Sequence, residues 1–146
     1  MKIKFLFSLG LMLSLSIFGF AQASNTFSTG AGAIKGYDPV AYFTDHQPVK
    51  GNTAYKYEWN GATWYFASRD HLSKFKANPT KYAPQYGGYC AYGMANDHKA
   101  PIDADAWSII DGKLYLNYST GVQKSWKKDE KSMIIKADAN WAKLKK

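Results

Sequence analysis

Apolar and polar residues alternate in two places along this chain, and each alternation is broken by the same kind of turn. Residues 54–59 read Ala-Tyr-Lys-Tyr-Glu-Trp, Asn60-Gly61 follows, and residues 62–67 alternate again. Period-two alternation marks a half-buried strand, and Asn-Gly adopts the two positive φ angles of a type I′ turn, so a β-hairpin is predicted. A second hairpin is predicted from residues 107–110 through Asp111-Gly112 to residues 113–118. Its second strand should point Leu114, Leu116 and Tyr118 one way, and Tyr115 and Asn117 the other.

Elsewhere the period is helical. Ser68 can cap a helix that begins with Arg69, Asp70 and His71, turns Leu72 and Phe75 inward, and stops at Asn78-Pro79. Asp38-Pro39 favours a turn before a short apolar element at residues 40–43. After a cap at Ser119 or Thr120, the residues Val122, Trp126, Ile134, Ala137 and Trp141 form a broken apolar stripe. Two helices joined near residues 128–131 account for the break. The predicted fold is a small single α+β domain: short antiparallel β-hairpins packed against several helices, with a helical C-terminus.

The first residues carry a different pattern. Lys2 and Lys4 precede an apolar run at residues 5–20, and Ala21-Gln22-Ala23 is a small-x-small cleavage site, so residues 1–23 read as a secretory signal peptide cut near Ala23/Ser24. The run is shorter than the roughly 20 residues a spanning helix prefers, so no stable membrane span is expected after cleavage. The expected location is periplasmic or secreted. Residues 24–33, rich in Ser, Thr, Gly and Ala, read as a flexible leader, leaving residues 34–146 as the domain proper.

Composition sharpens this picture. Apolar residues make up 46% of the chain and aromatics 16%, too much to stay unfolded in water. Most of the 11 Tyr and 5 Trp must build the core and its rim; Tyr55, Tyr57, Trp59, Trp64 and Tyr92 are candidates for a stacking surface. The formal charge of +8 falls by two when Lys2 and Lys4 are removed. Much of the remainder is a lysine-rich C-terminal stretch interleaved with Asp129, Glu130 and Asp138, the pattern of a solvated helix face. No nucleic-acid motif accompanies it, and no nucleic-acid partner is expected.

The candidate chemistry centres on Cys90, the only cysteine, which lies in Tyr86-Gly87-Gly88-Tyr89-Cys90-Ala91-Tyr92-Gly93-Met94. An exported domain of this size cannot form an internal disulfide with one thiol. Met94 and His98 follow at four-residue steps, so a helix would bring Cys90, Met94 and His98 to one face as soft ligands suited to copper. Zinc is the poorer fit, since a structural site normally takes four ligands. Covalent haem is excluded because no C-x-x-C-H occurs; noncovalent haem with His98, Met94 or Cys90 as axial ligand stays open. Cys90 with a histidine and Asp97 or Asp103 would be the corresponding nucleophile and base of a cysteine-dependent enzyme. His71 in the first turn of its helix, and His46 beside Pro48 in a loop, read as surface or capping residues.

Several segments taken together resemble a known family. Residues 37–43 (Tyr-Asp-Pro-Val-Ala-Tyr-Phe), Trp64-Tyr65-Phe66-Ala67, Phe75 with Asn78-Pro79, residues 82–90 (Tyr-Ala-Pro-Gln-Tyr-Gly-Gly-Tyr-Cys), and Trp107 with residues 111–117 look like an exported bacterial YHS-domain protein over nearly the whole mature chain. The resemblance implies a small α+β unit of a kind also attached to heavy-metal transporting ATPases, and suspected of binding metal rather than of catalysis. A metal ion or small ligand, and a metal transporter, are the partners it implies. Of the three proposed ligands, only Cys90 lies within the resembling segments; Met94 and His98 rest on spacing alone. The expected function is soft-metal binding, with an aromatic-lined module for small molecules or carbohydrates as the alternative.

Overall fold

In a computed structural model that describes residues 25–144, the chain runs β1 (Ser28–Thr29), β2 (Gly32–Ala33), α1 (Ala41–Thr44), β3 (Asn52–Trp59), β4 (Ala62–Phe66), α2 (Arg69–Ala77), α3 (Pro79–Tyr82), α4 (Ala91–Ala95), β5 (Asp103–Ile110), β6 (Lys113–Asn117), α5 (Thr120–Lys127) and α6 (Glu130–Leu144). The strands form three separate antiparallel hairpins, β1-β2, β3-β4 and β5-β6, so the α+β class and the helical C-terminus are as the sequence predicts. Residues 1–23, read from sequence as a signal peptide, lie outside the described residues. No described helix is long and apolar enough to cross a membrane.

Both predicted turns form. Asn60 and Gly61 take φ of 51° and 75°, and Asp111 and Gly112 take 51° and 73°. These left-handed values match the twist of the flanking strands. Tyr57 then pairs with Trp64, and Trp107 with Leu116. Ser68 caps α2 by accepting from the His71 amide at 3.1 Å, and Ser119 caps α5 by accepting from Val122 at 3.1 Å.

The inner face of α2 packs on the β3-β4 hairpin within the main core. Phe75 of α2 sits with ring centroids 5.3 Å from Trp64, 5.1 Å from Phe66 and 5.6 Å from Trp59. Each such buried ring contributes roughly 1.5–3 kcal/mol through lost water contact. The stripe predicted on the last two helices builds a second cluster, in which Trp126 and Ala137 close over Tyr86, Met94 and Tyr115.

This second cluster changes the reading of β6. Leu114 and Leu116 face the main core while Tyr115 is buried against Trp126 at 5.4 Å, so both faces of the strand are covered. Tyr118, expected on the same side as Leu114 and Leu116, lies past the end of β6 and is exposed. Asn117 is fully buried instead.

Residues 25–33, within the stretch whose composition suggests a flexible leader, pack against the rest of the protein. Thr26 and Ala33 are buried, the Phe27 amide donates to Gly87 O at 2.8 Å, and the Ile34 amide donates to Phe27 O at 3.0 Å. Small residues serve close packing here: a Cβ on Gly32 would fall 2.5 Å from the Tyr65 ring. The lysines at 124, 127, 128, 131, 136 and 143 are exposed, as a solvated face requires.

Candidate functional site

Cys90 occupies the N-cap of α4, a helix of only five residues that ends at Asn96. Its sulfur is 1% exposed and enclosed by main-chain donors: the Gly93 amide at 3.4 Å and the Tyr118 amide at 3.2 Å both donate to Sγ. Its own S–H faces Asn117 Oδ1 at 3.5 Å, an oxygen that also accepts from the Tyr92 amide at 3.0 Å. The thiol thereby ties the start of α4 to the end of β6.

The other two spacing-derived ligands go elsewhere. Met94 is fully buried, but in the second cluster, whereas Cys90 belongs to the first. The chain leaves the helix before His98: Asp97 takes a φ of 61°, the His98 amide folds back to Gly93 O at 3.1 Å, and the residue is exposed. A continuous helix was the premise for one shared face, and Gly93 with the early C-cap removes it. Among the described residues, no three His, Cys, Asp or Glu side chains gather into a metal-holding group. Asp97 and Asp103, the acids considered for a cysteine nucleophile, are both exposed while the sulfur is buried.

A second constellation, which the sequence reading missed, is built around Asp38. This carboxylate is completely buried and accepts four hydrogen bonds. Oδ1 takes the Val40 amide at 2.8 Å and the Ala41 amide at 3.4 Å, and Oδ2 takes the Ala67 amide at 2.8 Å and His71 Nδ1 at 2.6 Å. Asp38-Pro39 supplies the turn, the end of β4 supplies Ala67, and the Ser68 cap fixes the first turn of α2 from which His71 reaches in. His71 is therefore buried and paired rather than a surface residue.

A carboxylate opposite Nδ1 places the ring proton there, which leaves Nε2 as the outward nitrogen. Nε2 lies 3.2 Å from Thr44 Oγ1 and 3.8 Å from Asp45 Oδ1, both at the exposed end of α1. The Thr44 hydroxyl also contacts Asp45 Oδ1 at 2.9 Å and Val40 O at 3.2 Å. A carboxylate holding one ring nitrogen is how metal-ligating histidines are oriented; here a second carboxylate also lies 3.8 Å from the other nitrogen. The sequence signal was weak because Asp38 and His71 are 33 residues apart and neither sits in a spaced motif. His46, next to Asp45, is exposed with φ of 53°.

The aromatic candidates are mostly structural. Trp64 is 1% exposed and donates Nε1–H to Trp59 O at 3.0 Å, while Tyr55, Tyr57, Trp59 and Tyr92 pack half-buried against the main core. Two phenols are held protonated. Burial, reinforced by Tyr37 and the Asp105 and Asp103 charges, pushes Tyr42 well above its usual range. Burial and donation to Asp138 Oδ1 at 2.9 Å do the same for Tyr86.

No curated protein and no solved structure matches this chain. The family comparison does match, over a narrower span than the resemblance suggested: it begins two residues after Asp38 and ends four residues before Cys90. A YHS domain lies at residues 40–86.

Proposed function

We propose that this protein is an exported, noncatalytic metal-binding protein whose ion, divalent copper, is taken by His71 Nε2 and the Asp45 carboxylate. The observation that carries this reading is the Asp38–His71 pair, a buried carboxylate fixing one ring nitrogen while the other is turned to the surface beside a second carboxylate. Two further points support it. The YHS domain is a family suspected of binding metal, copper in particular, and residues 40–86 include Thr44, Asp45 and His71 but not Cys90, Met94 or His98. Imidazole with oxygen donors also suits Cu(II), whereas Cu(I) prefers sulfur.

Cys90 fits the ion less well. Its sulfur already receives two amides and directs its proton to an amide oxygen, so coordination would have to displace contacts that join α4 to β6. At His71 the protein group hydrogen-bonded to Nε2 is the Thr44 hydroxyl, a contact at the surface. Bound there, the ion would be held reversibly, with water completing its shell.

Calorimetric titration of the purified protein with Cu(II) tests the assignment. One site is expected, weakened about tenfold or more by Asp45→Asn and unchanged by Cys90→Ala. Loss of binding in Cys90→Ala with full binding in Asp45→Asn would return the site to the thiol. Export is tested separately: an N-terminus near Ser24 on protein recovered outside the cytoplasm supports it, and an intact Met1 on all of the protein contradicts it.

A further inference from the structure

A cleft of about 190 Å³, whose lining includes none of Asp38, Asp45, His71 and Cys90, is formed by Trp59, Trp64, Thr80, Gln85, Gly87 and Trp141 together with Thr26 and Asn60. From this lining we propose that the protein also binds a single neutral sugar ring.

Three features support that choice of ligand. The indoles are fixed in place: Trp59 packs edge-on against Phe75 at 5.6 Å, and Trp141 lies 6.4 Å from Tyr86 and 6.5 Å from Tyr89. Rigid aromatic faces offer an apolar surface to the C–H face of a ring at little entropic cost. Next, every polar group in the lining is a neutral hydroxyl, amide, indole or main-chain group, in a chain whose formal charge is +8. No lining side chain is charged, and the one cation recorded against a lining ring, Lys99, lies 6.0 Å from the Trp141 centroid; a polyol can both donate and accept with such neutral groups. Gln85 in particular is half-buried, and among the described residues its amide makes no hydrogen bond within the protein.

Size restricts the ligand further. The volume falls below the roughly 300–1,000 Å³ of pockets for drug-sized molecules, so one ring fits and an extended chain would overhang. Gly87, in the lining, accepts from the Phe27 amide of the N-terminal segment at 2.8 Å. It has a φ of 63°, and a Cβ there would strike Asn25 O and come within 3.1 Å of the Trp141 ring.

The test is a ¹H–¹⁵N titration of the protein with methyl β-glucoside and N-acetylglucosamine, with glucuronate as charged comparator. The indole N–H signals of Trp59 and Trp141 should shift saturably with a neutral sugar, while that of Trp126, fully buried in the second cluster, stays still. Gln85→Ala, on the rim, should weaken binding about fivefold and Trp141→Ala about tenfold. Asp45→Asn should leave it unchanged, which separates this site from the metal. No saturable shift with either neutral sugar, tighter binding of glucuronate, or shifts that persist undiminished in both cleft variants would overturn the proposal.

Discussion

Cys90 and His71 are both buried, both sit at the start of a helix, and both bridge distant segments, yet they differ in what they leave available. The Cys90 sulfur receives Gly93 and Tyr118 amides and points its proton at Asn117, so its bonding capacity is turned inward. His71 spends one nitrogen on Asp38 and keeps the other toward Thr44 and Asp45 at the surface. A chemically conspicuous residue can be a structural tie, while a plain histidine becomes a ligand candidate once a buried carboxylate fixes its orientation.

Substitutions at the two nodes should break this comparison in order of size. Asp38→Ala removes the acceptor for four hydrogen bonds in a fully buried position and should cost about 3–5 kcal/mol in urea denaturation. A loss under 1 kcal/mol would mean the carboxylate is not the anchor argued here. Cys90→Ala orphans two amides and should cost about 1–3 kcal/mol while leaving Cu(II) binding intact. Asp45→Asn, at the exposed end of α1, should change stability by no more than about 0.5 kcal/mol yet weaken Cu(II) about tenfold.

Alkaline pH tests the core between the nodes. Tyr42 and Tyr86 have folded-state pKa values raised above the ordinary 10.0, so they keep their protons in the native state where the unfolded chain would lose them. Stability from this source is complete below pH 10 and falls as pH rises toward the folded-state values. Urea midpoints should hold steady to about pH 9.5 and then drop. Tyr86→Phe should flatten that drop in proportion to its share, because its phenol cannot then be ionised in either state.

Much of the fold was legible because its signals are local. Asn60-Gly61 and Asp111-Gly112 dictate their own turns, and Ser68 and Ser119 cap the helices that follow them. What escaped depends on contacts between distant segments. Residues 25–33 look like a linker until Gly32 is seen against Tyr65, and Tyr115 looks outward-facing until α5 brings Trp126 over it. The candidate site divided in the same way. Cys90 could be singled out from sequence, but its enclosure could not, and the Asp38–His71 pair exists only because β4 and α2 carry His71 back to the turn at residue 38. Helical spacing misplaced His98 because Gly93 and the left-handed Asp97 end α4 after five residues.

The most direct test is pulsed EPR of the Cu(II)-loaded His46→Gln, His98→Gln double variant, which changes two exposed residues and leaves His71 as the only imidazole. The account predicts modulation from the remote nitrogen of one imidazole, Nδ1 of His71, and no thiolate-to-copper charge-transfer band. Copper that shows no imidazole nitrogen, together with a charge-transfer band abolished by Cys90→Ala, would contradict it and place the metal at the thiol.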